Sequence, residues 1–145
     1  MEGKRPVPLP DAVTAPFWEA CRRHELVVQY CEACDVPRFP PQPMCARCRS
    51  FACRWRPASG RGEVFSFVVC HPPVLPAFRD RAPYLVVLVQ LAESDRLRMI
   101  GNLLGCTPQE TRIGMPVEVC FEEVEDGLIL PQWRPLMADS RPPAR

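Results

Sequence analysis

A chain of 145 residues has room for one ordinary domain, or for a small module attached to a compact one, and can bury a core without disulfides. Its formal charge of +1 gives no net pull toward nucleic acid or anionic lipid. Proline is about two and a half times its usual share, which argues against long helices and for short strands, turns and extended connectors.

Residues 1–13 are proline-rich and polar, carry no apolar stretch of the secretory-signal type, and are expected to form a flexible lead-in. The longest apolar run, Tyr84–Val89, is the length of a strand and far too short for a bilayer, so no membrane association is expected. Nine cysteines without an export signal predict a cytoplasmic, reducing setting, where paired cysteines more often hold metal than form disulfides.

"TAPFWEACRRHEL", residues 14–26, predicts a short helix with Thr14 as N-cap and Pro16 in the first turn. Phe17, Cys21 and His24 share one face, and His24 is expected at the helix end, where the dipole favours an imidazolium. The strand-like "LVVQY", residues 26–30, then leads into "CEACDVPRFPPQPMCARC", residues 31–48.

That stretch holds two C-x-x-C pairs. In each, two thiolates can converge on one ion while nearby backbone N–H groups donate to the sulfurs. Together Cys31, Cys34, Cys45 and Cys48 complete the tetrahedral four-sulfur shell that zinc favours. Iron, alone or in a cluster, fits the same spacing. A redox dithiol needs a helix N-terminus in a βαβ setting, which the pattern lacks. Four sulfurs close the shell, so a metal here is structural and leaves no position for substrate. Pro37, Pro40, Pro41 and Pro43 are expected to shape a hairpin between the pairs. Cys53 reads as a spare ligand or a small core residue, and Cys21, Cys70, Cys106 and Cys120 as packing residues.

Five β-rich segments follow, at residues 60–70, 84–91, 96–104, 116–124 and 127–133. Between the third and fourth, Thr107 and Glu110 make a capping box for one helical turn. Five strands with that insertion are what a small Greek-key barrel of the OB type needs; a sandwich edge or an SH3-like barrel would read similarly. The predicted organisation is a helix and ribbon over 14–56, a β domain over 57–137 and a flexible tail over 138–145.

Groups suited to catalysis are sparse. His24 and His71 are the only histidines, and neither comes with a triad-like arrangement. There is no P-loop or dinucleotide fingerprint, and the acidic run 122–126 reads as a solvated strand end. Trp18, Trp55, Trp133, Phe39 and Phe78 fall outside or at the ends of the apolar runs, and divide between core packing and an interface.

The order of an amphipathic helix, "LVVQYCEACDVPRFPPQPMCARCRS", "GRGEVFSFVVCHPP", "YLVVLVQL", "MIGNLLG", "IGMPVEVCFE" and a terminal "LPQWRPL" resembles one known family over residues 15–137. These are the acyl-CoA-associated OB-fold proteins with a rubredoxin-like zinc ribbon, the domain-of-unknown-function family 35. The resemblance implies a mainly β fold: an N-terminal helix and a rubredoxin-like zinc ribbon, then a five-stranded OB-fold barrel. It implies structural Zn2+ on Cys31, Cys34, Cys45 and Cys48. Asp35 stands where the family commonly has glycine after the first pair, although Asp tolerates a left-handed backbone.

For function, the resemblance implies a non-catalytic accessory subunit in a hetero-oligomer. Its partner would be a thiolase or lipid-transfer-type aldolase acting on acyl-CoA, or alternatively a hot-dog-fold acyl-CoA hydratase, with CoA or acyl-CoA bound jointly. The loop over residues 71–84, with His71, Phe78, Arg79 and Arg81, is the candidate contact for the partner or for a CoA phosphate, since arginine offers a bidentate fork. A rival class, a nucleic-acid-binding ribbon and OB module, is disfavoured by the near-neutral charge and the lack of a basic stripe interleaved with aromatics.

Overall fold

The computed structural model describes residues 5–125 and 127–136; the expected tail and the first four residues of the expected lead-in lie outside them. Helix α1 spans Ala15–Arg22, with Pro16 in its first turn. Thr14 precedes it, but its hydroxyl does not cap the helix. It donates to Asp11 Oδ1 at 2.7 Å and accepts the Asp11 N–H at 3.0 Å, closing a turn in the approach to the helix.

Phe17, Ala20 and Cys21 form the buried face. The helix ends in a Schellman arrangement, with the His24 N–H on the Cys21 carbonyl (2.9 Å) and the Glu25 N–H on the Ala20 carbonyl (3.0 Å). His24 takes the left-handed position (φ 58°) where glycine is usual. The chain has therefore left the helix before His24. The imidazole departs from the face it was expected to share with Phe17 and Cys21, and stacks on Phe121 at 5.3 Å.

Three short strands make the ribbon: β1 (Val27–Cys31), β2 (Pro37–Arg38) and β3 (Cys53–Pro57), in the order β2-β1-β3. The second sheet contains β4 (Arg61–Cys70), β5 (Tyr84–Leu91), β6 (Arg98–Asn102), β7 (Pro116–Glu125) and β8 (Leu128–Pro135). Its order is β6-β5-β4-β7-β8, antiparallel throughout. The two edge strands meet at one parallel bridge, Leu103 to Trp133, with the Leu104 N–H on the Trp133 carbonyl at 2.8 Å. The sheet thus curls as an OB domain does, but among the described residues no continuous ladder closes it into a barrel.

The segment after β6 forms the expected single helical turn, closed by the Thr111 N–H on the Thr107 carbonyl (3.2 Å) and not continued into a helix. Glu110 does accept the Thr107 N–H (2.9 Å), but the Thr107 hydroxyl also donates to Glu110 (2.7 Å) instead of capping a further N–H. Within the loop over residues 71–84, Pro76–Arg81 form a 3₁₀ helix.

Along β5 burial alternates strictly, with Leu85, Val87, Val89 and Leu91 inside. These join Phe17 and Cys21 of α1, Leu26 and Val28, Val64 of β4 and Trp133 of β8 in one continuous apolar cluster. Helix, first ribbon strand and OB sheet therefore share a core. Trp133 is fully buried and lies against Gly101, where an added Cβ would come within 2.8 Å of the indole Cδ1. Of the five candidate interface aromatics, Trp133 is thus core. Trp18, Phe39 and Trp55 are half-buried on its flank.

Removing the indole should leave a large void, so Trp133→Ala is expected to cost roughly 3–5 kcal/mol. Urea unfolding of the two proteins side by side measures this; a loss below about 1 kcal/mol would mean the site collapses around the change.

Candidate functional site: a four-sulfur ribbon beside an apolar cleft

The two C-x-x-C turns are built alike. In the first, the Asp35 N–H donates to the Cys31 carbonyl (3.0 Å) and the Cys31 N–H to Val36 (3.0 Å). In the second, the Arg49 N–H donates to Cys45 (2.9 Å) and the Cys45 N–H to Ser50 (2.9 Å). Each turn needs a left-handed residue just after its second cysteine, supplied by Asp35 (φ 55°) and Arg49 (φ 62°). Asp35 thus takes the conformation that glycine would, and its carboxylate gains an ion pair to Arg54 and one to Arg56 (2.6 Å). Burial opposes ionisation of Asp35, but these arginines hold its carboxyl below the usual range. The pairs are more than half exposed at Asp35 and contribute little to stability.

Cys31, Cys34, Cys45 and Cys48 bring four sulfurs within 4.8 Å of one another. Cys31 to Cys48 measures 3.4 Å and Cys34 to Cys45 measures 3.6 Å. A tetrahedral zinc site with Zn–S near 2.3 Å has S···S edges of roughly 3.8 Å, so the donor set and its size fit zinc with little adjustment. Backbone N–H groups of Cys48 and Arg47 pull the Cys45 thiol down to about 6. Burial and the neighbouring sulfurs push Cys34 up to about 12, against the opposing pull of the Val36 N–H. Such a set shares its protons unevenly until a cation replaces them. A bound zinc would crosslink the two turns; it would offer no open coordination position. Cys53 stays outside the cluster, accepting a hydrogen bond from Gln29 Nε2 at 3.3 Å. Cys21 is buried in the core, which pushes its thiol up to about 12.

Beside the ribbon, α1, Phe39–Pro41 and the OB sheet enclose a predominantly apolar cleft of about 530 Å³. Trp18, Phe39, Phe78, Val86 and Ile100 line it, and Asn102 and Gln132 supply its polar floor. Gln132 is buried; it donates to Glu122 at 3.0 Å and its Oε1 accepts the Asn102 N–H at 2.6 Å. Glu122 also pairs with Arg81 and, at 3.8 Å, with Arg5. The expected solvated acidic strand end therefore contains a carboxylate anchored in a network. Burial disfavours its charge, but Arg81 and Gln132 outweigh this and hold it below the ordinary carboxylate value. Nothing in the local sequence distinguishes Glu122 from Glu123, because strand parity alone decides which side chain turns toward Gln132.

Of the loop candidates, His71 and Arg79 are exposed. Arg81 has its guanidinium engaged by Glu122, and Phe78 lies between Tyr84 (5.8 Å) and the Arg5 guanidinium (5.3 Å). The structure adds a feature that the sequence reading passed over. On the outer face of the sheet, Val68 opposes Val86, and Leu88 opposes Ile100. Val68 is 57% and Ile100 65% exposed. An antiparallel sheet that turns one face to water normally puts polar residues there. The signal was present in "YLVVLVQL": an unbroken apolar run on a strand with alternating burial makes both faces apolar.

A rubredoxin-like ribbon with four converging cysteines, fused to an OB domain through a common core, defines the class. The family models agree in order and extent: the ChsH2 rubredoxin-like zinc ribbon domain matches residues 18–53, and the ChsH2 C-terminal OB-fold domain matches residues 55–122. A DUF35 domain-containing scaffold protein of Methanocaldococcus jannaschii is 32% identical over 82% of this chain and 84% of its own length. The chain belongs to the ChsH2/DUF35 family. A probable enoyl-CoA hydratase alpha subunit of Thermomonospora curvata is 42% identical over 90% of this chain, which spans only 40% of that protein's length. Among solved structures, a chain of the Ltp2-ChsH2(DUF35) aldolase superposes with a TM-score of 0.82 at 40% identity, covering 89% of this chain and 98% of that one.

Two measurements test this geometry. Chelation, or Cys45→Ser, should release bound zinc and unfold the ribbon, seen as loss of one zinc per chain by elemental analysis and exposure of Trp55 by fluorescence. Retention of full zinc by Cys45→Ser would remove Cys45 from the shell. For Glu122, a lowered folded-state pKa means that its stabilisation is complete above the ordinary value of 4.5 and is lost as pH falls through the folded value. Urea midpoints between pH 7 and pH 3 should therefore fall less steeply in Glu122→Gln than in the wild type.

Proposed function

We propose that this chain is a cytoplasmic, non-catalytic accessory subunit of a thiolase-superfamily enzyme, a thiolase or lipid-transfer-type aldolase, acting on acyl-CoA. The observation that carries the reading is the apolar outer face of β4–β6, with Val68 and Ile100 exposed, running into the cleft through Val86 and Ile100. Burial of such a face stabilises a complex by removing apolar area from water. A partner of this kind is supported by the 40%-identical chain in an aldolase complex, whose whole length this chain nearly spans.

In this reading Cys31, Cys34, Cys45 and Cys48 hold a structural zinc that keeps the ribbon rigid. The helix and ribbon, residues 14–56, and the OB domain, residues 57–137, act as one docking body. The loop with His71, Phe78, Arg79 and Arg81 borders the apolar face and contacts the partner, with the exposed Arg79 guanidinium turned to it. Acyl-CoA is held jointly, its acyl part toward the apolar cleft. A second reading, an accessory subunit of an acyl-CoA hydratase, is favoured by the hydratase alpha subunit of Thermomonospora curvata. Both readings place chemistry on another chain or segment.

Co-expression with a thiolase-like aldolase and, separately, with a hot-dog-fold hydratase subunit separates the two readings. The expected result is co-purification with the aldolase, lost in Val68→Lys/Ile100→Lys while zinc content and thermal unfolding stay unchanged. A double variant that co-purifies as well as the wild type would sink the docking face. A partner equally soluble and active alone would sink the accessory role.

A further inference from the structure

A second cleft, of about 380 Å³, lies on the other side of Phe39 and Pro40, bounded by β2, the second cysteine turn and the β5–β6 connection. Its lining includes Arg38, Arg47 and Arg96 and, among the described residues, no acidic one. Arg38 is 8% exposed, yet its Nε, Nη1 and Nη2 atoms are all buried without a hydrogen-bond partner among the described residues. A guanidinium stays protonated at any pH a protein survives, so it cannot escape this position by losing its charge. An unpaired buried cation is strongly unfavourable and demands a compensating anion. Among the described residues its guanidinium donates to none of the four sulfurs either. The thiolate shell is therefore not its evident partner. Arg47 and Arg96, by contrast, are exposed at the cleft and can move with an incoming ion.

We propose that this cleft is a phosphate-binding site, with Arg38 as the buried anchor and Arg47 and Arg96 closing over the anion. Three guanidiniums around one small cleft suit a multiply charged oxyanion, which offers several oxygens to bidentate forks, better than they suit a single carboxylate. The phosphate can come from free inorganic phosphate or from the nucleotide end of a CoA thioester. The second source rests on the acyl-CoA reading above. It is sterically reasonable, because Phe39 and Pro40 line both this cleft and the apolar one, placing an anionic site and an apolar site back to back.

Titration calorimetry on the zinc-loaded full chain tests this with inorganic phosphate, CoA and phosphate-free pantetheine as probes. Saturable binding of phosphate or CoA is expected, with pantetheine inert. Arg38→Gln should abolish it, and the surface pair Arg47→Ser/Arg96→Ser should weaken it by roughly tenfold or more. The surface pair keeps the test meaningful if Arg38→Gln folds poorly. CoA binding roughly tenfold tighter than inorganic phosphate assigns the site to the thioester; equal affinity assigns it to the free ion. Either result supports the site. Absence of binding up to about 10 mM would overturn it. So would binding unchanged in the surface pair, or an Arg38→Gln protein that keeps anion binding and loses zinc affinity, because Arg38 would then serve the thiolates. Co-purification with the enzyme partner should survive in Arg47→Ser/Arg96→Ser, so failure of the anion site and failure of the accessory-subunit reading remain separable.

Discussion

Between Gln29 and Ala52 the buried positions are Gln29, Cys31, Arg38 and Cys45, and none of them is an aliphatic or aromatic side chain. The ribbon tip therefore has no apolar core of its own, and a segment this small cannot hold a fixed shape by burial alone. Convergence of four sulfurs supplies that shape. It depends in turn on two left-handed residues, Asp35 and Arg49, that let each cysteine turn close. The rest of the surface follows from this constraint. Phe39 and Pro40 form a wall between the apolar and the cationic cleft only if the hairpin that carries them is rigid.

The base of the ribbon is held differently. Phe17, Ala20 and Cys21 from the helix, with Leu26 and Val28, enter the same core as Val87, Leu91 and Trp133 of the OB sheet. At about 25 cal/mol per Å² of apolar area removed from water, such shared burial outweighs any of the exposed ion pairs on this surface. A metal crosslink at the tip would complement the apolar packing at the base. Losing such a metal should therefore disturb the tip alone, whereas losing Trp133 should disturb the shared core.

Much of the fold was legible in the residues. The cysteine spacing marked the ribbon, and five β segments broken by Pro and Gly marked the OB sheet. The errors were local and physical. His24 was placed on a helix face by periodicity, but the Schellman ending flips the chain after Arg23 and sends the ring to Phe121. Arg81, a candidate phosphate ligand, is paired with a carboxylate forty-one residues away that no local pattern connects to it.

What the sequence determined alone is chemistry carried by neighbours along the chain: two cysteine pairs at metal spacing, a closed four-sulfur donor set, and strands alternating with turns. Such features follow from short-range geometry, which backbone dihedrals fix within a few residues. Tertiary structure alone decided which residues face one another across strands and elements. Val68 and Ile100 became an exposed apolar face, Glu122 joined Gln132 and Arg81, and Arg38 was left buried without a hydrogen-bond partner among the described residues. Those outcomes depend on register and packing, where a shift of one residue would turn each side chain to the opposite face.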